Sequence, residues 1–99
     1  MLSMDPQESI NNRIALEPYK LAVKRYIRAM MMLKGVKYED LSDALASRGI
    51  VIKAGNLRSK INKGMIATDL FIALIEILDV QQTAMVDILK LLDQSSENS

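Results

Sequence analysis

The chain has no cysteine and no histidine. Without cysteine there is no disulfide framework, and without either residue the usual zinc and haem ligands are missing. The one side chain that titrates near neutrality unperturbed is also absent, as is the most readily activated nucleophile. Serines, lysines and carboxylates remain, but none fall into the spacing of a catalytic pair. An enzyme is therefore not expected, nor is a metal or other cofactor. Only four residues are aromatic, which argues against a β-sandwich and leaves few rings to stack on unpaired bases. No apolar run approaches the roughly 18 residues of a membrane span, so no membrane partner is expected. The opening "MLSMDPQESINNR" has no basic region followed by an apolar stretch, so the expected location is the cytoplasm.

What is present suits one helical domain. Of 99 residues, 49% are hydrophobic, mostly Leu, Ile, Met and Ala, enough for a single modest core. Residues 1–16 read as a flexible polar arm, because Asp5-Pro6, Ser9 and Asn11-Asn12 disfavour a long helix. Residues 17–93 form the helical domain, and 94–99, polar and terminal, read as a disordered tail. Five helical segments follow from apolar spacing. Pro18 suits a first turn, and the first segment runs to Gly35 with Ala22, Val23, Tyr26, Ile27, Met30, Met31 and Leu33 at helical intervals. Met30, Met31 and Met32 cannot all face one way, so two are assigned to the core and Met32 to its edge. The second segment, "YEDLSDALASR", puts Leu41, Ala44 and Leu45 on one face and stops at Gly49. "IVIK" is an extended, half-buried connection. The third is "AGNLRSKINKG". Thr68 caps the fourth, "DLFIALIEILD", which is apolar almost all round and should lie at the buried centre. The fifth carries Met85, Ile88, Leu89 and Leu92 along one stripe, with Val86 and Leu91 to its sides.

Charge is divided along the chain. Residues 20–63 carry eleven basic side chains against three acids, a net of +8, whereas residues 64–99 set six acids against Lys90 alone, a net of −5. A total of +1 conceals this separation, which suits a domain that meets a polyanion with one side only.

The third segment sharpens the expectation. With successive residues about 100° apart on a helix, Leu57 and Ile61 share an inward direction. Asn56, Ser59, Asn62 and Lys63 then point outward, with Arg58 and Lys60 on opposite flanks. Such a face is either an ordinary solvated surface or one built for a major groove. There, Asn bridges the N6/N7 edge of adenine, Lys reaches guanine O6 and N7, and Ser bonds to several bases. Flanking cations reach phosphates, which position the protein and supply salt-sensitive affinity. Asn56, Ser59, Asn62 and Lys63 are accordingly candidate base contacts, and Lys37, Lys53, Arg58 and Lys60 candidate phosphate contacts.

The unit "KYEDLSDALASRG", then "GNLRSKINKG", then "ATDLFIALIEILDV" resembles the helix-turn-helix of lambda-repressor/Cro-like regulators. The resemblance covers about residues 19–90, and the form "GVKYEDLSDAL…NLRSKINKG" resembles a small bacterial branch of that family. It implies a five-helix all-α fold in which Leu41, Ala44 and Leu45 build a scaffold helix. Leu57 and Ile61 would seat the recognition helix, and Gly64 would end it. Two features depart from the family pattern. "SRGIVIKAG" makes a longer turn between scaffold and recognition helices, and Lys37 stands where a Ser or Thr cap is common. The longer turn also gives Lys53 a wing-like reach toward a phosphate.

These readings together imply a sequence-specific double-stranded DNA-binding regulator, a repressor of bacterial or phage type, with residues 55–63 in the major groove. Two-fold pairing would let two such helices read half-sites one helical turn apart. Met85, Ile88, Leu89 and Leu92 are the candidate homodimer surface, unless that stripe packs back on the domain. The alternative is an adaptor or inhibitor whose basic half docks an acidic protein, since fold alone does not decide function.

Overall fold

The computed structural model describes residues 5–97 of the chain, with side chains to residue 94. The described residues form five α-helices and no strand: α1 Pro6–Lys34, α2 Tyr38–Ala46, α3 Ala54–Lys63, α4 Thr68–Leu78 and α5 Ala84–Glu97. No helix among them is long and apolar enough to cross a membrane.

α1 begins far earlier than the turn signals suggest. Asp5 is an N-cap whose carboxylate accepts a hydrogen bond from the Glu8 N–H at 2.8 Å, and Pro6 follows in the first turn. The pair read as a turn is thus a helix start, and α1 runs through residues 6–16 of the expected arm; residues 1–4 lie outside the described part. The helix then passes through Pro18. Proline removes one helical donor and leaves the Ile14 carbonyl without its partner. Ile14 and its neighbours are exposed, so water can satisfy that oxygen. Once the 19–34 portion is formed, extending it backward is far easier than nucleating a new helix.

The middle of α1 is the spine of the molecule. Ala22, Tyr26, Ile27 and Met31 are buried, and α1 packs along α5 and against α3 and α4, while α2 lies on α3 and α4. Of the three methionines, Met31 is buried, Met30 half-buried and Met32 exposed. Leu41, Leu45, Leu57, Ile61, Leu74 and Leu78 complete the most deeply buried set. Burying a Leu or Ile side chain contributes about 1.5–3 kcal/mol, so these few positions dominate the stability of the core.

Several sequence assignments in α4 and α5 change. Ala67, not Thr68, occupies the N-cap of α4, and it has no side chain to accept a bond. α4 is also less enclosed than its composition suggests: Leu70, Leu74, Ile75 and Leu78 are buried, but Ile72 is exposed. In α5, Ala84 and Ile88 face the core and Leu91 and Leu92 pack partly against it, leaving Met85, Val86 and Leu89 exposed. The expected stripe therefore splits. Ile88 belongs to the interior and is not available to a partner, because α1 takes that face. Nor does the helix stop at residue 93: α5 continues to Glu97, into the expected tail. Residues 98 and 99 lie outside the described part.

Where α1 meets α5, the Tyr26 ring is buried and its hydroxyl has no hydrogen-bond partner. Burial raises the phenol above its ordinary value of 10.0, and the Asp87 carboxylate adds to the rise. The Thr83 hydroxyl nearby acts in the opposite direction, without forming a hydrogen bond of proper geometry.

Candidate nucleic-acid interface

α3 is held in place by very little, and that is what exposes the rest of it. Leu57 and Ile61 are fully buried, and they alone anchor the helix from its own length. Gly64 ends it in the left-handed conformation at φ 63°, with its N–H turned back to the Ile61 carbonyl. A Cβ on Gly64 would overlap the backbone carbonyl and Cα of Lys20, so α1 lies directly against the end of α3. Glycine is needed there twice over, for the backbone angle and for the approach.

The segment before α3 is an ordered wall. The Ile50 N–H donates to the Leu45 carbonyl at 2.9 Å, and the Ser42 hydroxyl donates to the Ile52 carbonyl at 2.6 Å. Ile50 and Ile52 turn partly inward, while Val51 between them is 87% exposed. This matches the alternation expected of an extended, half-buried run.

Between this wall and α3 lies an open groove of about 740 Å³. Asn56, Ser59, Lys60 and Lys63 line it from α3, Lys53 from the connection, and Val51, Ile52 and Met65 supply an apolar side. No carboxylate among the described residues lines it. Among the described residues, Lys53, Lys60 and Lys63 make no ion pair, whereas Lys20 pairs with Glu17 at 3.6 Å and Arg48 with Glu76 at 3.3 Å. Five candidate residues thus converge: Asn56, Ser59 and Lys63 of the base-contact set, and Lys53 and Lys60 of the phosphate set.

Three others do not line this groove. Arg58 leans over the Tyr38 ring with its guanidinium carbon 6.0 Å from the centroid, on the opposite flank of α3. Asn62 is half-buried. Lys37 is exposed but stands at the start of α2, where its backbone N–H donates to the Asp40 carboxylate at 2.9 Å. Its ammonium has no acceptor to return the bond, so only half of a capping box exists there. The apolar wall was not foreseen as part of the site. Its signal was Val51, the outward residue between the inward-turned Ile50 and Ile52, and Met65 just past the helix-ending glycine.

The electrostatics of α3 all have one sign. It has no acid in its first turn, a lysine at its N-cap, and Lys60 and Lys63 in its last turn. The last two complement the helix dipole, and Lys53 opposes it.

The chain belongs to the family described as a domain of unknown function, DUF6471, whose model matches residues 19–83, from the second half of α1 to the turn before α5. No curated protein and no solved structure matches it.

Proposed function

We propose that this family member is a sequence-specific double-stranded DNA-binding regulator that lays α3 in the major groove. One observation carries the reading: a groove beside α3 lined by three unpaired lysines, an asparagine and a serine, with no carboxylate. A helix about 10–12 Å across fits a major groove about 12 Å wide, with amide and hydroxyl groups toward base edges and lysines toward phosphates or guanine. In this reading Asn56, Ser59 and Lys63 meet bases, and Lys53 and Lys60 meet phosphates. Asn62, Arg58 and Lys37 reach DNA only at the margin of the footprint.

In this reading α2 serves as scaffold and α3 as recognition helix of a lambda-repressor-like helix-turn-helix. On this reading the protein is a homodimeric repressor of bacterial or phage type that acts in the cytoplasm. Its pairing surface is the part of α5 left open, Met85 and Leu89 with Val86 beside them and Leu92 at its edge. A Met85→Glu, Leu89→Glu variant that sediments as the same dimer would remove that surface from consideration.

The test of DNA binding is a fluorescence-anisotropy titration of a generic labelled duplex at two salt concentrations. It compares the wild type with a Ser59→Glu, Lys63→Glu variant of unchanged helicity. Binding that weakens steeply with salt, and is lost in the variant, is the expected result. Absence of binding at low salt would overturn the proposal. An adaptor that docks an acidic protein would then be the better reading, since the exposed Val51 and Met65 also suit a protein surface.

A further inference from the structure

We propose that the apolar wall of the α3 groove, Val51 with Met65, reads the methyl group of thymine, so that the site selects thymine at the margin of its recognition sequence. The inference rests on the DNA-binding reading above and names a specificity determinant within it.

Three observations carry it. Val51 is held outward by design of its surroundings, because the Ile50 N–H and the Ile52 carbonyl on either side are both hydrogen-bonded to α2. A β-branched residue that is 87% exposed on such an anchored segment contributes nothing to the core. Met65, 58% exposed, stands on the same groove from the other connection, immediately after Gly64. The apolar pair therefore comes from two separate loops and converges beside one polar helix face. Finally, every charged side chain that lines the groove is a lysine, which favours an anionic guest over a cationic or neutral apolar one.

Among the groups on a major-groove floor, the thymine C5-methyl is the one bulky apolar projection. It sits at the edge of the groove, close to its own strand, rather than at the centre where an amide on the crest of α3 would bond. A helix of ordinary diameter already fills most of the groove width. A residue on a wall flanking that helix thus meets the methyl, while Asn56 and Ser59 meet the polar edges. Met65, unbranched and adaptable, can cover a methyl at more than one position, whereas Val51 cannot.

The experiment selects preferred duplexes from a randomised library with the wild-type protein. It then replaces each thymine of the recovered site, one at a time, by deoxyuridine. That exchange removes the methyl and leaves the hydrogen-bonding groups in place. At one or two thymines the affinity should fall about fourfold, as expected for a methyl-sized apolar contact. Val51→Ala or Met65→Ala should abolish the penalty at the corresponding thymine without altering the salt dependence. Both side chains are exposed, so both variants should fold.

A recovered site without thymine would overturn the inference, as would equal affinity for thymine and uracil throughout. So would a penalty that persists in both variants. In each of those cases DNA recognition by α3 stands. Failure to bind any duplex at low salt would remove the DNA-binding reading first, and this inference with it.

Discussion

Gly35 and Gly64 allow the approach of α1 to α3 to be measured by difference. Both end helices in the left-handed region, at φ 67° and 63°. A Cβ at Gly35 would meet nothing within contact range, whereas one at Gly64 would overlap the Lys20 backbone. Alanine at Gly35 therefore suffers only the conformational penalty of that region, about 1–2 kcal/mol. Alanine at Gly64 suffers the same penalty and must also push α1 away from α3. Neither backbone can rotate out of the way as a side chain would. The overpacking adds about 1–3 kcal/mol, because Leu57 and Ile61 lose their fit as the helices separate. Against a total of about 5–15 kcal/mol, the second variant is badly weakened and the first is not. Urea melts of the two variants beside the wild type provide the assay. At about 4–8 °C per kcal/mol for a domain of this size, thermal melts should separate them clearly as well. Equal midpoints for Gly35→Ala and Gly64→Ala would refute the reasoning, since the close contact would then have no energetic consequence.

Three further outcomes are expected. Tyr26→Phe removes a buried hydroxyl without a partner and should stabilise the protein by about 1 kcal/mol in a urea melt at neutral pH. Because burial raises the folded-state phenol pKa, the tyrosine's contribution is intact below its ordinary value of 10.0 and is lost as pH climbs beyond it. The wild type should therefore fall further behind the variant above that pH. Lys53→Ser gives α3 an N-cap acceptor in place of an opposing charge and should raise stability by about 1 kcal/mol while weakening DNA binding. A Lys53→Gln, Lys60→Gln variant should lower the slope of log affinity against log salt by about 2, and an unchanged slope would exclude both lysines from phosphate contact.

The core was readable because its signal is periodic and local. Leu41 with Leu45, and Leu57 with Ile61, are buried pairs that helical spacing alone places side by side. The outward face of α3 followed from the same geometry, and so did its end at Gly64. Misreadings arose where one residue type serves two local purposes. Asp5-Pro6 is a turn signal and equally the first two residues of a helix, and only the continuity of the following chain distinguishes them. The stripe on α5 failed for a different reason. The buried face of α5, with Ala84, Ile88 and Leu91, is rotated to one side of the arc that Met85, Ile88, Leu89 and Leu92 span. Which edge of that arc faces inward depends on where α1 crosses, which a single helix does not encode. Similarly, whether Arg58 or Lys60 borders the groove is decided by Tyr38 on one flank and the 50–53 segment on the other. Both lie outside α3 in sequence.

The helix starts bear on function as well as stability. α1 has a side-chain cap in Asp5, but α2, α3 and α4 begin at Lys37, Lys53 and Ala67, and none of these side chains can accept a hydrogen bond. A good cap contributes about 1 kcal/mol, so each of the three helices begins below its attainable stability. Ala67 is merely neutral. Lysine is worse than neutral, because it places a cation at the positive end of the helix dipole. At Lys37 this is offset by Asp40, which takes the backbone N–H, and by Glu39 in the first turn. At Lys53 no such offset exists among the described residues: the first turn of α3 has no acid, and its N-cap lysine is exposed. A local rule broken without compensation inside the fold suggests compensation from outside it. An anion resting on the start of α3 would satisfy the lysine and the uncapped N–H groups together. A phosphate on a strand flanking α3 in the groove has that charge, and its acceptor oxygens match those donors.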